Sequence, residues 1–211
     1  MKTFDLLPRP LIYLITKGEM TAANYSAKKK ETLETIKIAV ENKISLIQIR
    51  EKQLSARLVF ELVQAAAQIT KNSFTKLLVN DRADIALAAR ADGVHLTEKS
   101  LRAEVVPHVF PKDFIIGVSA HTLETALEAK KQKADFVVYS PIFQAPQKSA
   151  PQGLKKLAEV CEKAKPFPII ALGGINEANY QSVLNIAEGF AAIRFLNDAE
   201  NLRKLNREFR L

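Results

Sequence analysis

One cysteine, Cys161, and no tryptophan occur among the 211 residues, with 7 glycines and 3 histidines. A single thiol can form neither an internal disulfide nor a CxxC metal site, which fits a reducing compartment. Aromatic residues make up 7% of the chain and do not interleave with its basic clusters, so the stacking platforms of nucleic-acid binders have no counterpart. No apolar run approaches the ~20 residues of a membrane-spanning helix. The first segment is interrupted by Pro8-Arg9-Pro10, where a secretory signal would continue unbroken. The expectation is a soluble, cytoplasmic protein that binds neither nucleic acid nor membrane.

Hydrophobic residues account for 47% and charged ones for 26%, which excludes intrinsic disorder and supplies a sizeable core. With 31 Lys and Arg against 23 Asp and Glu, the formal net charge is +8. Its clusters are Lys28-Lys29-Lys30, then Lys130, Lys131 and Lys133, and last Arg203, Lys204, Arg207 and Arg210. They read as solvated helix faces, and the surplus also suits polyanionic small substrates.

Short apolar runs alternate with longer amphipathic stretches. Leu11–Ile15, Ile44–Ile49, Leu77–Val79, Val94–Leu96, Ile115–Val118, Phe136–Tyr139, Ile169–Leu172 and Phe190–Ile193 are too apolar for one-sided sheets and predict buried parallel strands. Between them the spacing becomes helical. Leu33, Ile36 and Val40 form one stripe, Leu58, Leu62, Ala65 and Ile69 a second, and Leu154, Leu157, Ala158 and Cys161 a third. Leu202, Leu205 and Phe209 end the chain on a helix. About eight βα units predict an α/β fold, a (β/α)8 barrel forming a single domain over residues 1–211, since such barrels begin near ~200 residues. An open doubly wound sheet is the competing arrangement. Cys161, on an apolar stripe, belongs to the core and is no nucleophile.

Barrel enzymes carry their sites at the C-terminal ends of the strands. Gln48, Arg50 and Lys52 follow the second run at alternating positions, which puts them on one side of an extended strand. With Lys148 from a later loop they suit a multiply charged anion, arginine giving bidentate contacts and lysine a point charge. The alternative is an ion-pair network of Arg50 and Lys52 with Glu51 or Asp81. Asn80-Asp81 is a candidate Mg²⁺ pair, or Asp81 caps the helix expected over Ala83–Ala89. His95 lies near the end of the fourth run, and Ser119 and His121 follow the fifth. His108, between Pro107 and Pro111, reads as a loop residue. Gly173-Gly174, before a helix expected from Glu177, would aim backbone N–H groups at a phosphate.

The series QIREK (Gln48–Lys52), VNDRADIALAARADGVHL (Val79–Leu96), IGVSAHT (Ile116–Thr122), SPIFQAPQK (Ser140–Lys148) and ALGGI (Ala171–Ile175) resembles the thiamine-phosphate synthase and thiazole tautomerase family, in order from Leu11 to Leu196. The resemblance implies a (β/α)8 barrel, with Mg²⁺ as cofactor. It also implies a transferase that joins hydroxymethylpyrimidine diphosphate to a thiazole phosphate, giving thiamine phosphate and pyrophosphate. By the same resemblance Gln48, Arg50, Lys52, Asn80, Ser119 and Lys148 bind the pyrimidine diphosphate, and Asp81 binds the metal. Gly173 and Gly174, with Ile193 and Arg194, hold the thiazole phosphate, while His95 and His121 line the site. Arg50, Lys52, Ser119, Lys148 and His121 form the catalytic set. The partners are these small molecules, and a homo-oligomer is compatible with the sequence. Departures fall on Ser100, where the family has a second metal-binding Asp, on Ala145 and Gln147, where it has threonines, and on Arg194, where a small serine is common. Glu98 is the neighbouring acid that could stand in for the missing carboxylate. A thiazole tautomerase and a non-catalytic phosphate-binding barrel are the alternatives these departures leave open.

Overall fold

The computed structural model describes residues 3–97, 100–144 and 150–209. Its strands are β1 (Leu11–Ile15), β2 (Leu46–Ile49), β3 (Lys76–Asn80), β4 (Gly93–Leu96), β5 (Ile115–Ala120), β6 (Phe136–Tyr139), β7 (Ile169–Leu172) and β8 (Gly189–Ala192). The helices are α1 (Tyr25–Glu41), α2 (Ala56–Thr70), α3 (Ala83–Ala88), α4 (Val106–Val109), α5 (Leu123–Lys131), α6 (Gly153–Ala164), α7 (Tyr180–Leu184) and α8 (Ala199–Phe209). The strands pair in chain order and close into a barrel, so the fold is the expected (β/α)8 barrel and not an open sheet. β1, β6 and β7 fall on the residues their apolar runs predict, and the others differ by one or two residues at an end.

The chain divides into two compact units. One comprises Met1–Ile12 and His95–Ala192. Here β5, β6 and β7 pair in parallel, Val118 opposite Val137 and Val138 opposite Ile170. Phe4 stacks on Phe136 with ring centroids 5.1 Å apart. Gly117 is required by that packing, because a Cβ there would lie 2.4 Å from the Phe136 ring. Thr122 and Thr125 cap α5 reciprocally, and the buried face of α5 is Ala126 and Ala129. Asp135 brackets two strands: its N–H donates to the Ile116 carbonyl and its Oδ2 accepts from Ile116 N–H, each at 2.8 Å.

The second unit comprises Tyr13–Val94 and Ile193–Leu211. β2 pairs with β1 and β3, Ile47 opposite Leu14 and Leu77. Asp92 repeats the bracket with Leu77, again with 2.8 Å in both directions. Ser55 caps α2.

Three stripes differ from the periodicity reading. On α1 the buried residues are Ile36 and Ala39, which leaves Leu33 and Val40 half-buried. The buried face of α2 is Val59, Leu62, Val63, Ala66, Ala67 and Thr70, so Leu58, Ala65 and Ile69 lie at its margin. The sequence admits two overlapping apolar stripes there, and the fold buries the one that runs through Val59, Val63 and Ala66. On α6 the buried residues are Leu157, Val160 and Ala164, which leaves Ala158 exposed and Cys161 half-buried. His108 is an exposed residue of α4 and not a loop residue, with Pro107 inside the first turn where its missing N–H costs nothing.

Candidate active site

Within the unit formed by residues 13–94 and 193–211, polar groups gather at the C-terminal ends of β2 and β3. Gln48 is 1% exposed, and its Nε2 donates to the Tyr13 hydroxyl at 2.9 Å. Burial pushes the Tyr13 phenol well above its ordinary pKa, so it stays protonated beside that amide. Arg50 is half-buried, and its N–H donates to Thr16 Oγ1 at 2.9 Å. Extended geometry ends at Ile49, and the chain turns through Glu51–Leu54, where Leu54 N–H donates to the Glu51 carbonyl at 3.3 Å. The strand alternation therefore does not carry as far as Lys52, an exposed residue of that turn.

The ion-pair alternative for Arg50 is not what forms. Glu51 is buried, and its two carboxylate oxygens accept from Gly18 N–H at 3.1 Å and Met20 N–H at 3.0 Å. Among the described residues Arg50 has no ion-pair partner. Sequence reasoning treated Glu51 only as a counter-charge. No local signal marks that role, because the strand has ended at Ile49 and the partners Gly18 and Met20 lie 33 and 31 positions away in the chain.

Asp81 is no helix cap. It has φ +60°, the left-handed region that Asn and Asp tolerate best, and α3 is preceded instead by Arg82 without a side-chain cap. Arg82 N–H donates to the Asn80 carbonyl at 2.8 Å, closing a tight turn that projects Asp81 from the end of β3. Asn80 Nδ2 donates to Asp81 Oδ2 at 2.7 Å. Lys43, Asn72, Arg90 and Lys133 share this conformation, so what sets Asp81 apart is its place at the end of β3 and its bond from Asn80. At the end of β8, Ile193 and Arg194 leave the strand, and Arg194 is exposed. Among the described residues Arg194 forms no ion pair with Asp198 or Glu200; Asp198 Oδ1 instead accepts from Glu200 and Asn201 N–H at 2.9 and 3.1 Å. Asn197, not foreseen from the sequence, donates from Nδ2 to the carbonyls of Ile15 and Ile193 at 2.8 and 2.7 Å.

The other unit carries His95, Ser119, His121 and the glycine pair. His95 is 3% exposed, with Nε2 2.9 Å from Ser119 Oγ. His121 Nδ1 lies 2.7 Å from the Ser140 carbonyl, which can only accept. Nδ1 therefore carries the proton, and in the neutral ring Nε2 is the acceptor. Gln152 Nε2 donates to the His121 carbonyl at 3.1 Å. Gly173 and Gly174 have φ +107° and +65°. A Cβ at Gly173 would meet Pro141 Cα at 2.7 Å, and one at Gly174 would meet the Gln144 carbonyl at 2.5 Å, so close backbone approach dictates both glycines. The helix expected from Glu177 begins only at Tyr180 and has five residues, too short a helix to serve as an anion site in its own right. Asn176 and Asn179 side chains already accept from Ala178 and Asn176 N–H there, each at 2.9 Å.

Ser100, at the position of the absent second metal carboxylate, is a turn residue, its Oγ accepting from Thr97 N–H at 2.7 Å. Among the described residues no group of three or more His, Cys, Asp or Glu gathers as a metal cage. Glu98, Ala145, Gln147 and Lys148 lie outside the described residues.

A closed parallel barrel with acidic, basic and histidine side chains at the C-terminal ends of its strands defines a barrel enzyme. The family model described as thiamine monophosphate synthase matches residues 12–196. A thiamine-phosphate synthase of Syntrophomonas wolfei is 35% identical over 203 residues, covering 94% of each chain. One from Caldanaerobacter subterraneus is 33% identical over 193 residues, covering 87% of this chain and 88% of that one. The solved thiamine phosphate pyrophosphorylase from Pyrococcus furiosus superposes with TM-score 0.79 at 32% identity, covering 95% of this chain and 98% of that one. The chain belongs to the thiamine monophosphate synthase family. The activity that goes with this membership is thiamine-phosphate synthesis, a transfer that releases pyrophosphate.

Proposed function

We propose that this single-domain enzyme condenses hydroxymethylpyrimidine diphosphate with a thiazole phosphate. The observation that carries the reading is Arg50, a half-buried guanidinium at the end of β2 whose neighbouring acid is turned away and bonded to backbone. Such a cation is available to a diphosphate, and its contacts strengthen as negative charge builds on the leaving group. The bond from the pyrimidine methylene carbon to the diphosphate oxygen breaks, its electron pair leaving with pyrophosphate. The thiazole nitrogen then supplies the pair for the new C–N bond. Holding the two reactants for that attack is most of the protein's task.

In this reading Arg50, Lys52 and Lys148 bind the diphosphate, Ser119 contacts it with support from His95, and Gln48 and Asn80 shape the pyrimidine site. Gly173, Gly174, Ile193 and Arg194 hold the thiazole phosphate. Asp81 would hold Mg²⁺; a single carboxylate suits an ion that completes its shell with water and phosphate oxygens. That ion would neutralise charge on the pyrophosphate. His121 lines the site, and its Nε2 acceptor is the group on which a tautomerase reading would rest.

The purified protein with both substrates and Mg²⁺ should release pyrophosphate and thiamine phosphate together, and omission of either substrate should abolish both. Isomerisation of thiazole phosphate alone, with no pyrophosphate released from the pair, would replace this reading by the tautomerase one.

A further inference from the structure

We propose that Glu51 is a positioning residue that pins the β1–α1 loop against Arg50 and so sets the guanidinium for the diphosphate; this rests on the synthase reading above. The carboxylate is 6% exposed and uses both oxygens, Oε1 on Gly18 N–H at 3.1 Å and Oε2 on Met20 N–H at 3.0 Å. Two N–H donors two residues apart need two acceptors on one short head, which among side chains of this length only a carboxylate supplies. Met20, at the far end of the clamp, is 2% exposed.

The clamp bears directly on Arg50. Gly18 has φ +75°, and a Cβ placed on it would lie 3.2 Å from the Arg50 carbonyl and 3.7 Å from Arg50 Nη1. The loop backbone is thus a wall along both the main chain and the guanidinium of Arg50. On the main-chain side, Thr16 Oγ1 accepts from Arg50 N–H at 2.9 Å, and Thr16 N–H donates to the Gln48 carbonyl at 3.0 Å. The end of β1 therefore holds Gln48 and Arg50 through backbone bonds while Glu51 holds the loop that follows. Buried and with both oxygens engaged by backbone, Glu51 is set to hold the loop and not to contact a substrate.

Glu51→Gln keeps the shape but replaces one acceptor by an NH₂ that faces an N–H donor. The expected result is at least about a tenfold loss of affinity for inorganic pyrophosphate in the presence of Mg²⁺, read by calorimetry, because small displacements of a positioned group cost this much or more. KM for the pyrimidine diphosphate should rise by a similar factor while KM for the thiazole phosphate stays within about twofold. Gly18→Ala displaces the same wall at the other end of the Glu51 clamp while keeping the carboxylate, and should give the same split; it decides the matter if Glu51→Gln does not fold. Asp135→Ala, which breaks a bracket in the other unit, should lower Tm and leave pyrophosphate affinity unchanged. Wild-type pyrophosphate affinity in a folded Glu51→Gln or in Gly18→Ala overturns the proposal, as does an equal loss in Asp135→Ala. If the wild-type protein itself binds no pyrophosphate with Mg²⁺, the synthase reading fails first and the positioning role falls with it.

Discussion

Removing the Arg50 side chain is the perturbation that separates chemistry from folding most cleanly. Its guanidinium has no ion-pair partner among the described residues, and the link between Arg50 and β1 runs through the backbone N–H to Thr16 Oγ1, which alanine retains. Arg50→Ala should therefore leave the unfolding free energy within about 0.5 kcal/mol of wild type, the range of substitutions away from buried networks. Hydrogen bonds to charged groups contribute about 1.5–3 kcal/mol each, and those to a leaving diphosphate strengthen in the transition state. A loss of about 2.7 kcal/mol corresponds to about 100-fold in kcat/KM. The assay is continuous pyrophosphate release at saturating thiazole phosphate, with thermal unfolding measured on the same preparation. A folded Arg50→Ala enzyme with near-normal kcat/KM refutes the placement of the diphosphate at the end of β2. A large loss of stability accompanying the kinetic loss would show that Arg50 acts through structure.

Four further outcomes follow from named contacts. Arg194→Ala should raise KM for thiazole phosphate about tenfold and leave that for the pyrimidine diphosphate unchanged, because a guanidinium at the end of β8 serves one anion only; an unchanged thiazole-phosphate KM removes it from the site. Free protein titrated with Mg²⁺ should show no tight site, pyrophosphate should create one, and Asp81→Ala should abolish it; Mg²⁺-dependent activity surviving in Asp81→Ala refutes the metal role. Burial raises the Asp92 carboxyl above its ordinary range, outweighing the opposing Leu77 N–H and Lys76. The folded state then holds that proton more tightly than the unfolded chain. The group's favourable contribution is complete below the ordinary carboxylate range and is lost as pH rises through the raised value. The stability of wild type relative to Asp92→Asn should accordingly fall as pH is raised across that window, and a rise would contradict the assignment. Burial also pushes the Cys161 thiol up to about 11, so iodoacetamide should label it slowly at pH 8 and faster as pH approaches that value; prompt labelling at pH 8 would show an accessible, reactive thiol.

The barrel was legible because its signal is repeated eight times, each copy short and apolar and all but the seventh followed by a polar residue. What a single period cannot resolve is which of two overlapping stripes a helix buries, as on α2, where Val59 is buried and Leu58 lies at the margin. The polar residues at strand ends were legible for the same reason as the strands, since in this architecture the position after an apolar run is a place in space. The residues that support them were not. Thr16, Glu51 and Asn197 act by bonding backbone groups that lie 34, 33 and 182 positions away in the chain, and nothing local marks such a bond. The Gly173-Gly174 pair carries a second demand that the dipeptide does not reveal: Pro141 and Gln144 approach so closely that no side chain fits at either position.

The central claim is that this barrel joins the two halves of thiamine phosphate with loss of pyrophosphate. Its most direct test is the product ratio for purified protein supplied with pyrimidine diphosphate, thiazole phosphate and Mg²⁺. Thiamine phosphate and pyrophosphate should appear in equal amounts, and both should form about 100-fold more slowly in Arg50→Ala at low substrate. Pyrophosphate without thiamine phosphate, or neither product from protein that binds both substrates, would contradict it.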